Sequence, residues 1–249
     1  MRDLISLFLS LFFLATSVFA QSGTAYGIKG GLTAGTQSWN NSNRDYLFAY
    51  NGSIFMESIN DDMSLRFFGQ LGYAKKGSAI VINSFVNTIT NQTIPRQTIK
   101  QPFEQANLII GVKNMHPLPA NDNIRGYYGV GVRLDYLLRY NMQFLNVDEF
   151  VNKITYGLSI AGGGEFQPQD SPIAFQLEVM FKQDLSNQIL YENLIVTDQW
   201  GRQSSHSARV INSSLDITLG IKFIRKIIWV DTYDDTLLPV GKQYNKGKK

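Results

Sequence analysis

The chain has 249 residues and a formal net charge of only +3, and its Lys and Arg residues are dispersed, which disfavours a nucleic-acid function. It contains no cysteine, which excludes disulfide bonds and thiolate chemistry. After an N-terminal apolar run, the remaining length is suited to a single folded domain.

Residues 1–20 have the pattern of a secretory signal peptide. Arg2 supplies the positive charge, Leu4 to Leu14 form the apolar region, and Val18-Phe19-Ala20 suits a signal peptidase. The apolar run is shorter than the roughly 20 residues that a membrane-spanning helix needs, which disfavours a membrane anchor. The sequence therefore predicts export and cleavage after Ala20.

Eight segments between residues 24 and 223 alternate between apolar and polar side chains, with almost no helical periodicity. They are Tyr26–Ala34, Phe48–Glu57, Leu65–Tyr73, Ala106–Lys113, Tyr128–Leu138, Ile154–Phe166, Ile173–Lys182 and Ser214–Phe223. Alternation with a period of two predicts β-strands. Their lengths are near the roughly 9–11 residues with which a tilted strand crosses a bilayer.

The apolar faces of these strands carry no charged residue, whereas the opposite faces carry many. Alternation alone fits a secreted lipocalin-like barrel with its apolar face inside as well as a membrane barrel with that face outside. Two features favour the membrane barrel: the polar faces are rich in Gly, Ser and Thr, as a narrow lumen requires, and aromatic residues collect near segment ends.

The connections between the segments alternate in length, which also favours a membrane barrel. The long ones are 35–45, 75–102, 141–153 and 184–207, and the short ones are 60–62, 116–123 and 167–172. Outer-membrane barrels have long extracellular loops and short periplasmic turns. We therefore predict an all-β, eight-stranded antiparallel up-and-down transmembrane barrel, surrounded by outer-membrane lipid, with both termini in the periplasm.

Four strand motifs resemble a known family. They are YGIKGGL at 26–32, LSIAGGGEF at 158–166, LEVMFKQDLSN at 177–187 and SLDITLGIKF at 214–223, and they resemble the PorT-like, porin-family barrels of Bacteroidetes. The resemblance implies an eight-stranded barrel in the outer membrane of a Gram-negative bacterium, with a possible accessory role in a secretion or motility system. Such barrels tend to stop at a terminal aromatic, here Phe223, whereas this chain continues through a polar tail, 224–249.

The predicted inner faces bring charges of both signs into the lumen. The predicted ionic network comprises Lys29, Glu57, Arg66, Arg133, Asp135, Glu165, Glu178, Lys182, Asp216 and Lys222, and Lys113 lies on the same inner face. We expect Arg66, Arg133, Lys29 and Lys182 to pair with Glu57, Asp135, Glu165 and Glu178, because buried charges persist only when they are paired. Such pairs would plug the barrel; the alternative is a narrow ion path.

Catalytic chemistry has little support in the sequence. The only histidines, His116 and His206, are predicted at opposite ends of the barrel, so we expect no two-histidine metal site, and no cofactor is implied. A weaker alternative is a barrel enzyme in which His206 and Asp198 activate Ser204, Ser205 or Ser207. The glycine runs lie inside strands, so they do not form a phosphate-binding loop.

The leading functional hypothesis is a non-enzymatic structural or interaction protein of the cell envelope, and the runner-up is a narrow pore. Loops 75–102 and 184–207 contain apolar residues that suit an extracellular partner. The tail 224–249 suits a periplasmic partner, or else has no fixed structure.

Overall fold

The computed structural model describes residues 23–39, 44–59, 64–82, 85–87, 92–119, 121–140, 150–169, 171–197 and 203–226. The strands are β1 Gly23–Trp39, β2 Asp45–Ser58, β3 Leu65–Ile82, β4 Phe85–Asn87, β5 Gln92–Ile94, β6 Gln97–Leu118, β7 Asn121–Tyr140, β8 Ile154–Phe166, β9 Ile173–Asp184, β10 Ile189–Thr197 and β11 Gln203–Lys226. Within these ranges, no helix is both long and apolar enough to cross a membrane.

Eight of the strands form a closed ring in the order β1-β2-β3-β6-β7-β8-β9-β11, with β11 paired back to β1. Every neighbouring pair in the ring is antiparallel. The closing pair runs from Gly23↔Lys226 to Trp39↔Val210. Closure leaves no strand edge with unsatisfied backbone groups, as a lipid environment requires. The predicted eight-stranded antiparallel barrel is confirmed.

Three short strands lie outside the ring, in two of the predicted long loops. β3 and β6 stay paired as far as Ile82↔Gln97, and β4 and β5 form a small hairpin beyond them. β10 pairs with the first part of β11, from Ile189↔Val210 to Thr197↔Gln203. Much of each long loop is therefore β-hairpin that continues past the ring.

The outward face of the ring is apolar and the inward face is charged. Exposed apolar side chains encircle the barrel, and Leu219 on β11, for example, is 69% exposed. Charged side chains such as Glu57 and Lys222 are buried inside. Lipid accepts apolar groups, whereas buried charges need partners, so this arrangement suits a membrane and not water.

The sense of the alternation changes along β11. Outward-facing residues from Leu215 to Phe223 are apolar and exposed, but the next outward positions towards the start of the strand include Ser205, Ser207 and Arg209. Over the same stretch the inward Val210 is completely buried. The apolar belt therefore ends near Ser213, and the outward face of the first part of β11 is polar, as suits contact with water.

The barrel differs from its predicted limits at both ends by a few residues. β1 begins at Gly23, and β11 continues to Lys226, three residues beyond the aromatic at which the barrel was expected to stop. The predicted signal peptide, 1–20, and nearly all of the tail, from residue 227, lie outside the described residues.

Candidate functional site

Among the described residues, thirteen charged side chains are buried in the lumen, seven basic and six acidic. They include all ten members of the predicted network, and Lys113, Lys76 and Asp184 in addition. Lys76 and Asp184 were missed because both follow the last lipid-facing residue of their strands, where the apolar alternation fades and a loop was expected.

The end of the lumen that carries the long hairpins, which is predicted to be the extracellular end, contains a four-residue ionic cluster. The Arg133 guanidinium contacts Asp184 and lies 2.9 Å from the Asp135 carboxylate. Lys76 Nζ lies 3.0 Å from Asp135 Oδ2 and 3.2 Å from Asp184 Oδ1. Each carboxylate therefore meets two cations, and all four side chains are nearly inaccessible to solvent.

Amide side chains extend this extracellular cluster across the barrel. Asn212 Nδ2 donates to Asp184 Oδ2 at 2.9 Å and lies 3.2 Å from Gln188 Oε1. Gln105 Nε2 donates to the same Gln188 oxygen at 2.7 Å, and Gln37 Nε2 donates to Asn212 at 2.9 Å. Polar groups from β1, β6 and β11, and from the segment before β10, are thus joined into one layer.

A hydrophobic cluster closes the lumen towards the extracellular side. Phe103, Ile189 and Val210 are completely buried there, and Leu137 and Val151 pack with them. Val151 forms a backbone bridge with Ile189, which brings the segment before β8 into the barrel mouth. Close-packed apolar side chains exclude water, so this cluster disfavours a water path among the described residues of this end.

Two ion pairs lie farther along the lumen. Lys29 contacts Glu178, whose second oxygen accepts from Tyr127 at 3.1 Å and from Gln176 at 3.0 Å. Lys182 lies 2.6 Å from Asp216. The Glu178 carboxylate therefore has three donors, two of which are uncharged.

The periplasmic half holds a second multi-residue ionic cluster. Glu57 contacts Lys113 through one carboxylate oxygen and lies 3.1 Å from Lys222 Nζ through the other. Lys222 also contacts Glu165. Both carboxylates are thus occupied by lysines, and neither is bonded to Arg66.

The structure brings some members of the two predicted sets together. Lys29 contacts Glu178, and Arg133 lies near Asp135. Glu57 and Glu165 contact Lys113 and Lys222, and Lys182 contacts Asp216. Partner choice depends on the shear of the barrel, which sets the height of each side chain in the lumen and cannot be read from one strand.

One small cavity lies among the described side chains of the lumen. A cavity of about 10 Å³, lined by residues that include Lys29, Gln70, Lys113 and Tyr127, holds one water at most. Among the described residues, no group of three His, Asp or Glu side chains is placed to bind a metal. The ion pairs therefore compensate all the described buried charges of the lumen except that of Arg66.

The histidines provide no described catalytic contact. His116 is exposed and stacks on Tyr128, with ring centroids 5.8 Å apart. His206 lies in β11, at the other end of the barrel, but its side chain and that of Ser204 lie outside the described parts, as does Asp198.

No family model and no curated protein matches the chain. Among solved structures, it is similar to the outer membrane protein OprG of Pseudomonas aeruginosa, with 10% identity, a TM-score of 0.48, and coverage of 82% of this chain and 97% of OprG. Neisserial surface protein A has 11% identity, a TM-score of 0.44 and coverage of 80% and 97%. The outer membrane protease OmpT of Escherichia coli has 8% identity, a TM-score of 0.38 and coverage of 81% and 96%. These likenesses carry no inference about activity.

Three structural features identify the class of protein: the closed ring, the apolar belt and the charged lumen. A water-soluble barrel does not expose a continuous apolar belt, and only closed barrels and helices satisfy their backbone groups in lipid. The chain is an outer-membrane β-barrel of eight strands whose lumen is filled by side chains.

Proposed function

We propose that the chain is a closed, non-enzymatic barrel that acts as a structural or interaction component of the cell envelope. The observation that carries this proposal is the filled lumen, in which ionic clusters and an apolar cluster follow one another along the barrel axis. A side-chain network of this kind stabilises the barrel and blocks the passage of solutes. Contacts with other components of the cell envelope are therefore made by the surfaces of the barrel outside the lumen.

The alternative of a narrow pore is tested by single-channel recording of the refolded protein in planar bilayers. We expect no steady open conductance, because ions would have to displace Phe103 and Ile189 from a fully buried cluster. Insertion is checked in parallel by the heat-dependent gel mobility of folded barrels in liposomes. A steady conductance from correctly inserted protein would favour the pore.

Strands that continue beyond the apolar belt supply the proposed interaction surface. The β3–β6 hairpin and the β10–β11 hairpin both extend past the ring, and backbone pairing gives them a fixed shape. Rigid, projecting strands suit protein recognition better than a mobile loop does, because less conformational entropy is lost on binding. The resemblance to PorT-like barrels supports a partner within a secretion or motility system.

The partner hypothesis is tested by crosslinking in native outer membranes and affinity purification of a tagged chain. A matched variant shortens the β3–β6 hairpin by removing residues 80–99, which lie beyond the membrane belt. We expect a stoichiometric partner with the full chain and its loss with the shortened hairpin. Recovery of the barrel alone, or of the same partner with both proteins, would contradict a role for this hairpin.

A further inference from the structure

Arg66 is the one buried lumen charge without an ionic partner among the described residues. It is 8% exposed, and its Nε and Nη1 atoms are buried without a hydrogen-bond partner in the described part of the chain. Its neighbour across the β3–β6 pair is another cation, Lys113. Lys113 already contacts Glu57, so this neighbouring ion pair leaves no free carboxylate for Arg66.

The charge count of the lumen explains why Arg66 is left over. Within the described part of the chain, seven buried cations face six buried carboxylates, and each of the six carboxylates contacts at least one of the other cations. Leaving a charged hydrogen-bonding group buried and unpaired is costly, and the guanidinium cannot lose its proton to avoid this cost. The structure therefore presents an unfilled requirement for negative charge.

Arg66 lies near the end of the barrel that carries the short connections, which is predicted to face the periplasm. It is the second residue of β3, directly after the short connection from β2. The adjoining backbone is fixed, because Met115 N donates to Ser64 O at 2.9 Å, so the start of β3 is held against β6. Of the two buried charges on β3, Arg66 lies near this end of the strand and Lys76 near the other end.

We propose that Arg66 forms the floor of a binding site for a single oxyanion, of carboxylate or phosphate chemistry, at the periplasmic mouth of the barrel. A guanidinium offers a planar fork of N–H donors that matches either group with two parallel hydrogen bonds. Lys113, one strand away, adds positive potential on the same face. The two sources of this chemistry are free phosphate and the carboxylates of Asp231, Asp234 and Asp235, which follow β11 in the sequence.

The test is calorimetric titration of inorganic phosphate into the detergent-folded full chain at constant ionic strength. The proteins compared are the wild type, Arg66→Met, a chain lacking residues 231–249, and Arg209→Met as a control. Arg209 is an exposed arginine at the opposite end of the barrel, so the control removes the same side chain without touching the periplasmic mouth. Arg66→Lys is a further variant that keeps the charge but loses the fork.

We expect one phosphate per barrel, at least tenfold weaker binding for Arg66→Met, an intermediate affinity for Arg66→Lys, and no change for Arg209→Met. If only the truncated chain binds phosphate, the site exists and the tail carboxylates occupy it in the full chain. Equal binding by the wild type and Arg66→Met, or no binding by either the full or the truncated chain, would overturn the proposal. Should Arg66→Met fail to fold, Arg66→Lys decides by the same comparison.

Discussion

At the scale of single residues, Lys29 and Glu178 form the lumen ion pair that is easiest to separate from its surroundings. Lys29 has no other carboxylate partner among the described residues, whereas Glu178 also accepts from Tyr127 and Gln176. The two halves of the pair are therefore not equivalent: a lone Glu178 keeps two donors, but a lone Lys29 keeps none of its ionic contacts.

This asymmetry predicts an order of stabilities. Glu178→Met should lower the free energy of unfolding by about 3–5 kcal/mol, because it leaves a buried ammonium uncompensated. Lys29→Met should cost less, and the double variant should recover most of the Glu178→Met loss. Urea unfolding in liposomes, followed by tryptophan fluorescence, measures all three; equal losses for both single variants would contradict the asymmetry.

Gly77 is a second position at which the backbone conformation restricts the type of residue. Its φ of +150° is a conformation that other residues rarely adopt, and a Cβ there would lie 2.1 Å from Gln101 O. On β3, Gly77 lies opposite the part of β2 between Tyr46 and Asn51, where the register of the β2–β3 pair shifts. The barrel can adopt this register shift only with a residue that lacks a side chain.

Gly77→Ala is therefore expected to destabilise the barrel by about 1–3 kcal/mol through backbone strain, and by more if Gln101 cannot move. Gly69 on the same strand is the matched control, since a Cβ there meets nothing within 4 Å. The same urea experiment compares the two alanine variants. Similar stabilities for Gly77→Ala and Gly69→Ala would show that the conformation of Gly77 is not required.

At the scale of one element, the outward face of β11 shows where the membrane-facing part of the barrel ends. Its outward face is apolar from Leu215 to Phe223 and polar at Ser205, Ser207 and Arg209. Leu219 and Ser207 therefore lie on the same outward face of one strand, but Leu219 faces lipid and Ser207 faces water. The strand itself supplies a control for the cost of placing charge in lipid.

Leu219→Arg should lower the free energy of unfolding in liposomes by about 2–4 kcal/mol, because the charge is placed in the apolar belt. Ser207→Arg should change it by less than about 1 kcal/mol, because that position lies in water. Urea titration of the two variants beside the wild type gives both values. A large loss for Ser207→Arg would move the membrane boundary towards the start of β11.

The elements also show how far the sequence is informative. The eight ring strands are predictable because lipid on one side and a packed lumen on the other impose a strict period of two. The extended parts of β3, β6 and β11 are not, since the apolar alternation fades where water replaces lipid. Lys76 on β3 and Asp184 at the end of β9 were overlooked for the same reason. The pairing of Glu57 with Lys113 and Lys222 depends on the shear of the whole ring, which no local pattern encodes.

At the scale of the whole molecule, the barrel has two chemically different ends. One end carries the hairpins and the hydrophobic cluster around Phe103, and the other carries the short connections and Arg66. Outer-membrane barrels place their long connections outside the cell, so this asymmetry predicts an orientation. Because the chain contains no cysteine, a single introduced thiol reports on one position without removal of any native residue of that type.

Ser205→Cys and Gln169→Cys test that orientation. Both side chains are exposed, Ser205 in the extended part of β11 and Gln169 in the short connection between β8 and β9. A membrane-impermeant maleimide should label Ser205→Cys in intact cells and should label Gln169→Cys only after the outer membrane is permeabilised. The reverse pattern would place the hairpins in the periplasm and Arg66 on the cell surface. The oxyanion at Arg66 would then have to come from outside the cell, and the partner of the hairpins from the periplasm, so this labelling decides on which side each proposed ligand must be sought.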